Sequence, residues 1–201
     1  GFKSDRLRVI LVTGFLFSAG FTFFTTFFGV YLKNSFDFSS AKIGDYFALV
    51  GLFIAISQAV VVGRVAKKLA DFKVLRFSLL GTAAMMLVYF LTPTSSPAYL
   101  YMVIPFFTFF NGLTMANISS LVSRSAEPGQ QGQAMGIYSS VQSLAQVPAS
   151  ILVGYITSGI TSSQPLIVSS VCIGLGGLIF ATMFRPKYVS STVAHAGAPV
   201  H

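Results

Sequence analysis

The stretch VILVTGFLFSAGFTFFTTFFGVYL, residues 9–32, contains no Asp, Glu, Lys or Arg. Three further charge-free stretches follow it, at residues 46–63, 77–123 and 128–184. A membrane-spanning helix needs about 20 predominantly apolar residues to cross a hydrocarbon core of about 30 Å. The first two stretches therefore predict one crossing each. Each of the longer two predicts a pair of crossings, because polar turns interrupt them at residues 92–97 and 157–165.

The composition agrees with an integral membrane protein, because only 9% of the residues are charged and 54% are hydrophobic, whereas charged residues make up about 25% of a soluble domain. We predict an all-α, multi-pass fold in which residues 1–189 form one six-helix transmembrane unit. Residues 190–201 lack hydrophobic periodicity and are predicted to be a disordered tail. The predicted spans are residues 7–32, 43–62, 74–91, 98–122, 132–157 and 166–184.

The basic residues indicate the orientation of the chain in the bilayer. Of the 13 Lys and Arg residues, only Lys33 and Lys42 fall on one side of the predicted spans, and the rest fall at the termini and in alternate loops. An excess of Lys and Arg in short loops marks the cytoplasmic face. We therefore expect both termini to be cytoplasmic, in a plasma membrane or a bacterial inner membrane. The net charge of +8 is explained by topology and by anionic lipid, so no nucleic-acid partner is expected.

The predicted spans offer no chemistry for catalysis. No ionisable side chain is expected at mid-depth, whereas an embedded hydrolase or metalloenzyme needs clustered His, Asp, Glu or Cys. Asp45 is interpreted as a helix-capping carboxylate, Cys172 as a small buried apolar residue, and His195 and His201 as isolated tail residues. We therefore predict no enzyme activity, no catalytic residue, no metal site and no cofactor.

Within the predicted spans, Asn and Gln occur on helices two, four and five, and helices three and six carry none. The first helix carries Ser and Thr at three- to four-residue spacing, and the fifth carries Ser139, Gln142, Gln146 and Ser150 in the same pattern. Helices one, two, four and five are therefore predicted to face a shared polar space, with helices three and six facing lipid. Interhelical hydrogen bonding is the alternative interpretation of the same side chains. The candidate pathway residues are Thr22, Thr25, Thr26, Gln58, Asn111, Asn117, Gln142 and Gln146.

A weak internal similarity suggests a repeat of three helices. GFTFF at residues 20–24 is matched by FFTFF at residues 106–110. Because a unit with an odd number of crossings reverses its orientation when it is repeated, such a repeat would be an inverted three-plus-three arrangement. The abundance of Phe makes chance an alternative explanation.

Two segments carry a resemblance to a known family. FSSAKIG at residues 38–44, followed by Gly51, Gln58 and GRVAKK at residues 63–68, resembles the eighth helix and following loop of major facilitator superfamily transporters. Residues 123–136 and QSLAQVP at residues 142–148 resemble the loop before the eleventh helix and the start of that helix, with Val147 where a Gly often precedes Pro.

The segment at residues 63–68, which resembles the cytoplasmic loop after the family's eighth helix, contains candidate gating residues. Gly63 matches the family's glycine, and the basic residues of the motif are present in this loop. Lys67, however, stands where the family has Asp, and this departure argues against a gating salt bridge. The candidate gating residues are Gly63, Arg64, Lys67 and Lys68.

The resemblance implies that the chain is the carboxy-terminal half of a twelve-helix transporter, similar in style to drug:proton antiporters. The family's helices one, two, four and five of each half line the pathway, which is the same division that the polar side chains indicate. The implied partners are a missing amino-terminal six-helix half, the lipid bilayer and a small organic substrate, with the proton as candidate coupling ion. The chain begins with Gly rather than Met, and we expect it to start within a longer polypeptide.

These observations predict secondary active transport of a small organic solute by rocker-switch alternating access. Antiport and efflux rest on the resemblance alone. The alternative is a non-transporting membrane scaffold or assembly subunit, or a half-size unit that acts as a homodimer.

Overall fold

The computed structural model describes residues 5–60, 72–94, 96–127, 129–156 and 164–183. These residues form six helices, and the helix boundaries agree with the predicted spans to within four residues. The candidate gating residues Gly63, Arg64, Lys67 and Lys68 and the predicted tail at residues 190–201 lie outside the described residues. The helices are α1 (Asp5–Phe36), α2 (Ser40–Val60), α3 (Phe72–Leu91), α4 (Ala98–Ser125), α5 (Gln131–Ile156) and α6 (Gln164–Met183).

Helix α1 extends four residues, about one turn, beyond its predicted end at residue 32, through a polar segment. Lys33 lies in its last turn, and the helix ends where Asp37 takes the left-handed conformation with φ of 54°. The next helix starts immediately, since the Ser39 hydroxyl accepts the Lys42 backbone N–H at 3.3 Å and caps α2. The α1–α2 connection is therefore a tight turn.

Helices α1 and α4 cross at the centre of the bundle and run in opposite directions. The Phe24 ring lies 4.9 Å from the Phe107 ring, whereas Gly14, nearer the start of α1, lies against Ile118, nearer the end of α4. Because α5 starts only six residues after α4 ends, we infer that α5 runs antiparallel to α4 and therefore in the same direction as α1.

The contacts between helices follow a regular pattern. Helix α1 packs against α6, α5, α4 and α2, helix α4 packs against α3, α2, α5 and α1, and α3 packs against α6. Exchanging α1, α2 and α3 with α4, α5 and α6 converts this set of contacts into itself. The two central helices, α1 and α4, therefore hold equivalent places in the bundle.

An aromatic cluster fills the bundle where α1, α2, α3 and α4 meet. Phe24, Phe28 and Phe107 pack against two tyrosines, Tyr46 and Tyr89, with ring centroids 4.9–5.6 Å apart, and all five side chains are buried. Such aromatic contacts are favourable beyond the area that they bury.

Tyrosines near the predicted outer ends of the helices divide into two groups. Tyr31, Tyr46 and Tyr89 are buried, and the Tyr31 hydroxyl donates to the Tyr89 carbonyl oxygen at 2.9 Å. Tyr99 and Tyr101 are exposed, as interfacial tyrosines are in membrane proteins. Position along a helix therefore indicates depth in the bilayer but not whether a tyrosine faces outward.

Glycine allows two pairs of helices to approach closely. A methyl group at Gly81 of α3 would overlap the Phe110 ring of α4. A methyl group at Gly14 of α1 would lie 2.7 Å from Cε2 of Tyr138 of α5. Small residues have this role at helix interfaces in membranes, where van der Waals contact drives association.

Five of the six helices, α1, α2, α3, α4 and α6, are long and apolar enough to cross a membrane. Helix α5, which carries Gln142, Ser143 and Gln146, is not among them. The multi-pass membrane fold is confirmed, and a sixth crossing by α5 stays a prediction.

Candidate functional site

The polar stripe of α1 becomes progressively more exposed along the helix. Ser18 is buried, Thr22 is half-buried, and Thr25 and Thr26 are exposed. The Thr22 hydroxyl donates to the Ser18 carbonyl at 2.8 Å, and the Thr25 hydroxyl lies 3.1 Å from the Phe21 carbonyl. Because both hydroxyl protons are donated to backbone carbonyls of α1, the hydroxyl oxygens can act only as hydrogen-bond acceptors for groups outside the helix.

Helix α5 has a polar exposed face and an apolar exposed face. Ser139, Ser143 and Gln146 are exposed and Gln142 is half-buried, all within a sector of about 100° of the helix. The Ser143 hydroxyl donates to the Ser139 carbonyl at 3.1 Å. The apolar face carries Leu144, Val147 and Ile151.

The contact between α1 and α5 places their polar stripes side by side. Gly14 faces Tyr138, and the two helices run in the same direction. Ser18 lies four residues beyond Gly14, and Gln142 lies four residues beyond Tyr138. Thr22 and Gln146 lie one further turn along their helices. Because each helix rises about 1.5 Å per residue, these pairs lie at similar depths. Four of the eight candidate residues, Thr22, Thr25, Gln142 and Gln146, therefore lie on two helices that pack together, and we call their two polar stripes the seam.

Asn111 and Asn117 of α4 lie in the interior of the six-helix unit. Asn111 is 1% exposed and Asn117 is 5% exposed. The Asn117 Nδ2 donates to the Leu113 carbonyl at 2.7 Å. The Asn111 Nδ2 lies 3.9 Å from the Met115 sulfur, and its Oδ1 has no hydrogen-bond partner within the described part of the chain. These two amides are therefore separated from the exposed seam.

Gln58 is half-buried on α2, beside the contact that holds this helix to α4. The neighbouring Ser57 hydroxyl donates to the Thr108 carbonyl at 3.1 Å and faces Gly112. Besides Ser57, the buried residues of α2 are Tyr46 and Val50. Helix α2 is accordingly the least buried of the five apolar helices.

The exposed face of α2 carries a row of small residues, a feature that a search for polar side chains does not find. The row consists of exposed glycine and alanine at intervals of three to four residues, which is one face of a helix. Such a row is typical of helices that pack closely in a membrane, so the spacing alone could have indicated it. Its members are Gly44, Ala48, Gly51, Ala55 and Ala59.

The surface formed by α3, α4 and α6 is apolar. A groove of about 440 Å³ between α3 and α6 is lined mainly by Ala, Leu, Ile and Val, with Ser170 as its one polar side chain. A second groove, of about 470 Å³ between α3 and α4, includes Met102, Phe106 and Tyr99. Within the residues that the structure describes, no three His, Cys, Asp or Glu side chains come close enough to hold a metal ion.

Comparisons with known proteins were made with the whole chain. The family model described as Major Facilitator Superfamily matches residues 2–150. The chain is similar to Hippocampus abundant transcript-like protein 1 of Mus musculus and of Homo sapiens, each 29% identical over 157 residues, and to that of Rattus norvegicus at 27%. These alignments cover 77% of the chain but only 30% of the length of each relative. No solved structure matches the chain.

Proposed function

The chain belongs to the major facilitator superfamily, and from this premise we propose that it is one six-helix half of a membrane transporter. The observation that carries the proposal is the seam of half-buried and exposed Thr and Gln side chains on α1 and α5, in a unit whose other exposed faces are largely apolar. Polar groups facing outward in a bilayer are unfavourable, and a water-filled pathway satisfies them.

The proposed mechanism is alternating access by rocking of this unit against a second one. The helix contacts support an inverted three-plus-three arrangement, since exchanging the first three helices with the last three leaves the set of contacts unchanged. In carriers built from such repeats, the substrate binds near the midplane, between the two moving parts.

A second six-helix half is the proposed partner. The chain spans about 30% of the length of its relatives, which leaves ample length for another unit. Helix α2 presents its row of small residues outward, and close packing against a helix of the other half would bury that row. The two halves together would enclose the seam.

The proposed cargo is a small organic solute. Hydroxyl and amide groups along the seam can hydrogen-bond polar parts of a solute, and Phe21 is half-buried beside Thr22 and Thr25. Within residues 9–184 only Asp37, Asp45, Asp71 and Glu127 are acidic, so a proton-coupling carboxylate at mid-depth would belong to the other half. We further propose that transport is efflux by proton antiport. The proposed location is a plasma membrane or a bacterial inner membrane, with both termini cytoplasmic.

Thiol labelling of the membrane-embedded protein tests the pathway. In a background with native cysteines replaced by Ser, single cysteines are placed at Thr26 and Ser143 on the polar faces, and at Leu144 and Ile151 on the apolar face of α5. We expect a small charged methanethiosulfonate reagent to modify the first pair and not the second. A maleimide added after denaturation in detergent should modify both pairs, because every thiol then reaches water and can ionise.

Equal resistance of all four cysteines to the charged reagent would overturn the pathway. A non-transporting scaffold would give this result, because a fixed partner would keep Thr26 and Ser143 permanently covered. A carrier instead exposes them in at least one of its two states, so labelling is measured from both sides of the membrane.

A further inference from the structure

Tyr138 connects the interior of the bundle to the polar seam. Its side chain is 3% exposed, and the edge of its ring lies against Gly14 of α1, where an added methyl group would come within 2.7 Å of Cε2 and 3.4 Å of Cδ2. The ring position therefore depends on the absence of a side chain at residue 14. Glycine at this position brings α1 and α5 close enough to hold the ring.

The hydroxyl of Tyr138 contacts a candidate pathway residue. The Gln142 Nε2 donates to the Tyr138 Oη at 3.0 Å, one helical turn further along α5. Tyr138 is on the buried side of α5, whereas Gln142 is half-buried on the edge of the polar face formed with Ser139 and Ser143. A long, flexible Gln side chain is thereby held at one end by a buried group.

We propose that Tyr138 is a positioning residue, which fixes the amide of Gln142 so that its carbonyl oxygen faces the pathway. With one N–H of Nε2 engaged by Tyr138, Gln142 offers a ligand its acceptor Oε1 together with the second N–H. Through Oε1 the seam then accepts a hydrogen bond from a donor on the solute, a hydroxyl or an ammonium N–H. Gly14 sets the position of Tyr138, and Tyr138 sets that of Gln142.

This inference deepens the proposed function and rests on it for the role of Gln142, but the geometry can be tested without a substrate. The protein is labelled with ¹⁵N-glutamine in detergent micelles, and the side-chain amide signal of Gln142 is assigned by its loss in Gln142→Ala. The Tyr138→Phe variant keeps the ring and removes the hydroxyl. Gly14→Ala displaces the ring instead. Tyr101→Phe is the matched control, because Tyr101 is exposed on α4.

We expect Tyr138→Phe to shift the Gln142 amide signal and to speed hydrogen exchange of its NH₂ group about threefold. This factor corresponds to the loss of one side-chain hydrogen bond as strong as those measured between helices of a membrane protein. A water-soluble gadolinium chelate should broaden the signal more than in the parent protein, because the freed amide can turn its NH₂ toward the pathway. Gly14→Ala should act in the same direction, and Tyr101→Phe should change nothing.

An unchanged Gln142 signal in Tyr138→Phe overturns the inference, even if Gly14→Ala fails to fold. Failure of the proposed function is distinguishable, because it would appear as unreactive cysteines at Thr26 and Ser143 while the Gln142 signal still responded to Tyr138→Phe. If the signal shifts and the gadolinium chelate has no greater effect, the amide does not face a pathway and the positioning role is overturned.

Discussion

The hydroxyl groups of Tyr46 and Tyr89 lie 3.0 Å apart in the bundle interior, where neither side chain is exposed. Tyr46 is on α2 and Tyr89 is on α3, and the Tyr46 hydroxyl also lies 3.2 Å from the Leu100 carbonyl at the start of α4. One side chain thus holds the N-terminal part of α2, the least buried of the five apolar helices, to two other helices.

Replacing Tyr46 by Phe should destabilise the protein because the ring is kept and both polar contacts are lost. We expect the free energy of unfolding to fall by about 1 kcal/mol, within the range measured for interhelical hydrogen bonds in membranes. Thermal unfolding of the purified protein in detergent measures this. Tyr99→Phe is the control, since Tyr99 is exposed, and an equal effect of the two substitutions would contradict the role of Tyr46.

Replacing Gly81 by Ala should force the Phe110 ring away from α3. Overpacking of this kind costs about 1–3 kcal/mol of folding stability. Gly174→Ala is a matched control, because the nearest atom to an added methyl group there is the Ala83 Cβ at 4.0 Å. A second substitution, Phe110→Leu, should restore part of the stability of Gly81→Ala. If the two changes add without restoration, the Gly81–Phe110 contact is not the cause.

Two adjacent phenylalanines of α4 should respond differently to truncation. Phe107 is 1% exposed and packs in the aromatic cluster, whereas Phe106 is 62% exposed. Phe107→Ala leaves a cavity and should lower the free energy of unfolding by about 3 kcal/mol. Phe106→Ala should lower it by less than about 1 kcal/mol, since a side chain facing lipid leaves no cavity. Denaturation in mixed micelles compares the pair, and similar losses would show that Phe106 is also packed.

Asn111 should be replaceable by Leu without loss of stability. Its buried Oδ1 has no hydrogen-bond partner among the described residues, and removing a buried unpaired polar group in favour of an apolar one of similar size is neutral or stabilising. We expect the melting temperature of Asn111→Leu to equal or exceed that of the parent protein. Asn111→Asp is the comparison and should lower it, because a charge inside a membrane protein is unfavourable. A lower melting temperature for Asn111→Leu would reveal a partner for the amide.

The sequence supports the prediction of helix positions more strongly than that of the site. Charge-free stretches locate each helix to within a turn, since the bilayer excludes charge whatever the fold around it. The spacing of Thr25 and Thr26 predicts a polar face, and both are exposed, whereas Asn111 and Asn117, which are candidates by residue type, are buried. Residue type alone does not distinguish an amide that faces a pathway from one that lies between helices.

Tyr138 illustrates what residue type cannot reveal. From the sequence it is a tyrosine near a predicted helix end, a position typical of the membrane interface. Its contact with Gly14 joins residues that are far apart in the chain, and only the packing of α1 on α5 brings them together.

By itself the sequence determined a multi-pass helical membrane protein and the family to which it is similar, because hydropathy and loop charge act locally and do not depend on how the helices meet. The tertiary structure decided which face of each helix is covered. It buried Tyr46 and Tyr89, separated Asn111 from Gln142, and placed the polar stripes of α1 and α5 side by side. The physical reason is that packing in a membrane depends on close contact between particular side chains from distant parts of the chain, and no local pattern records those contacts.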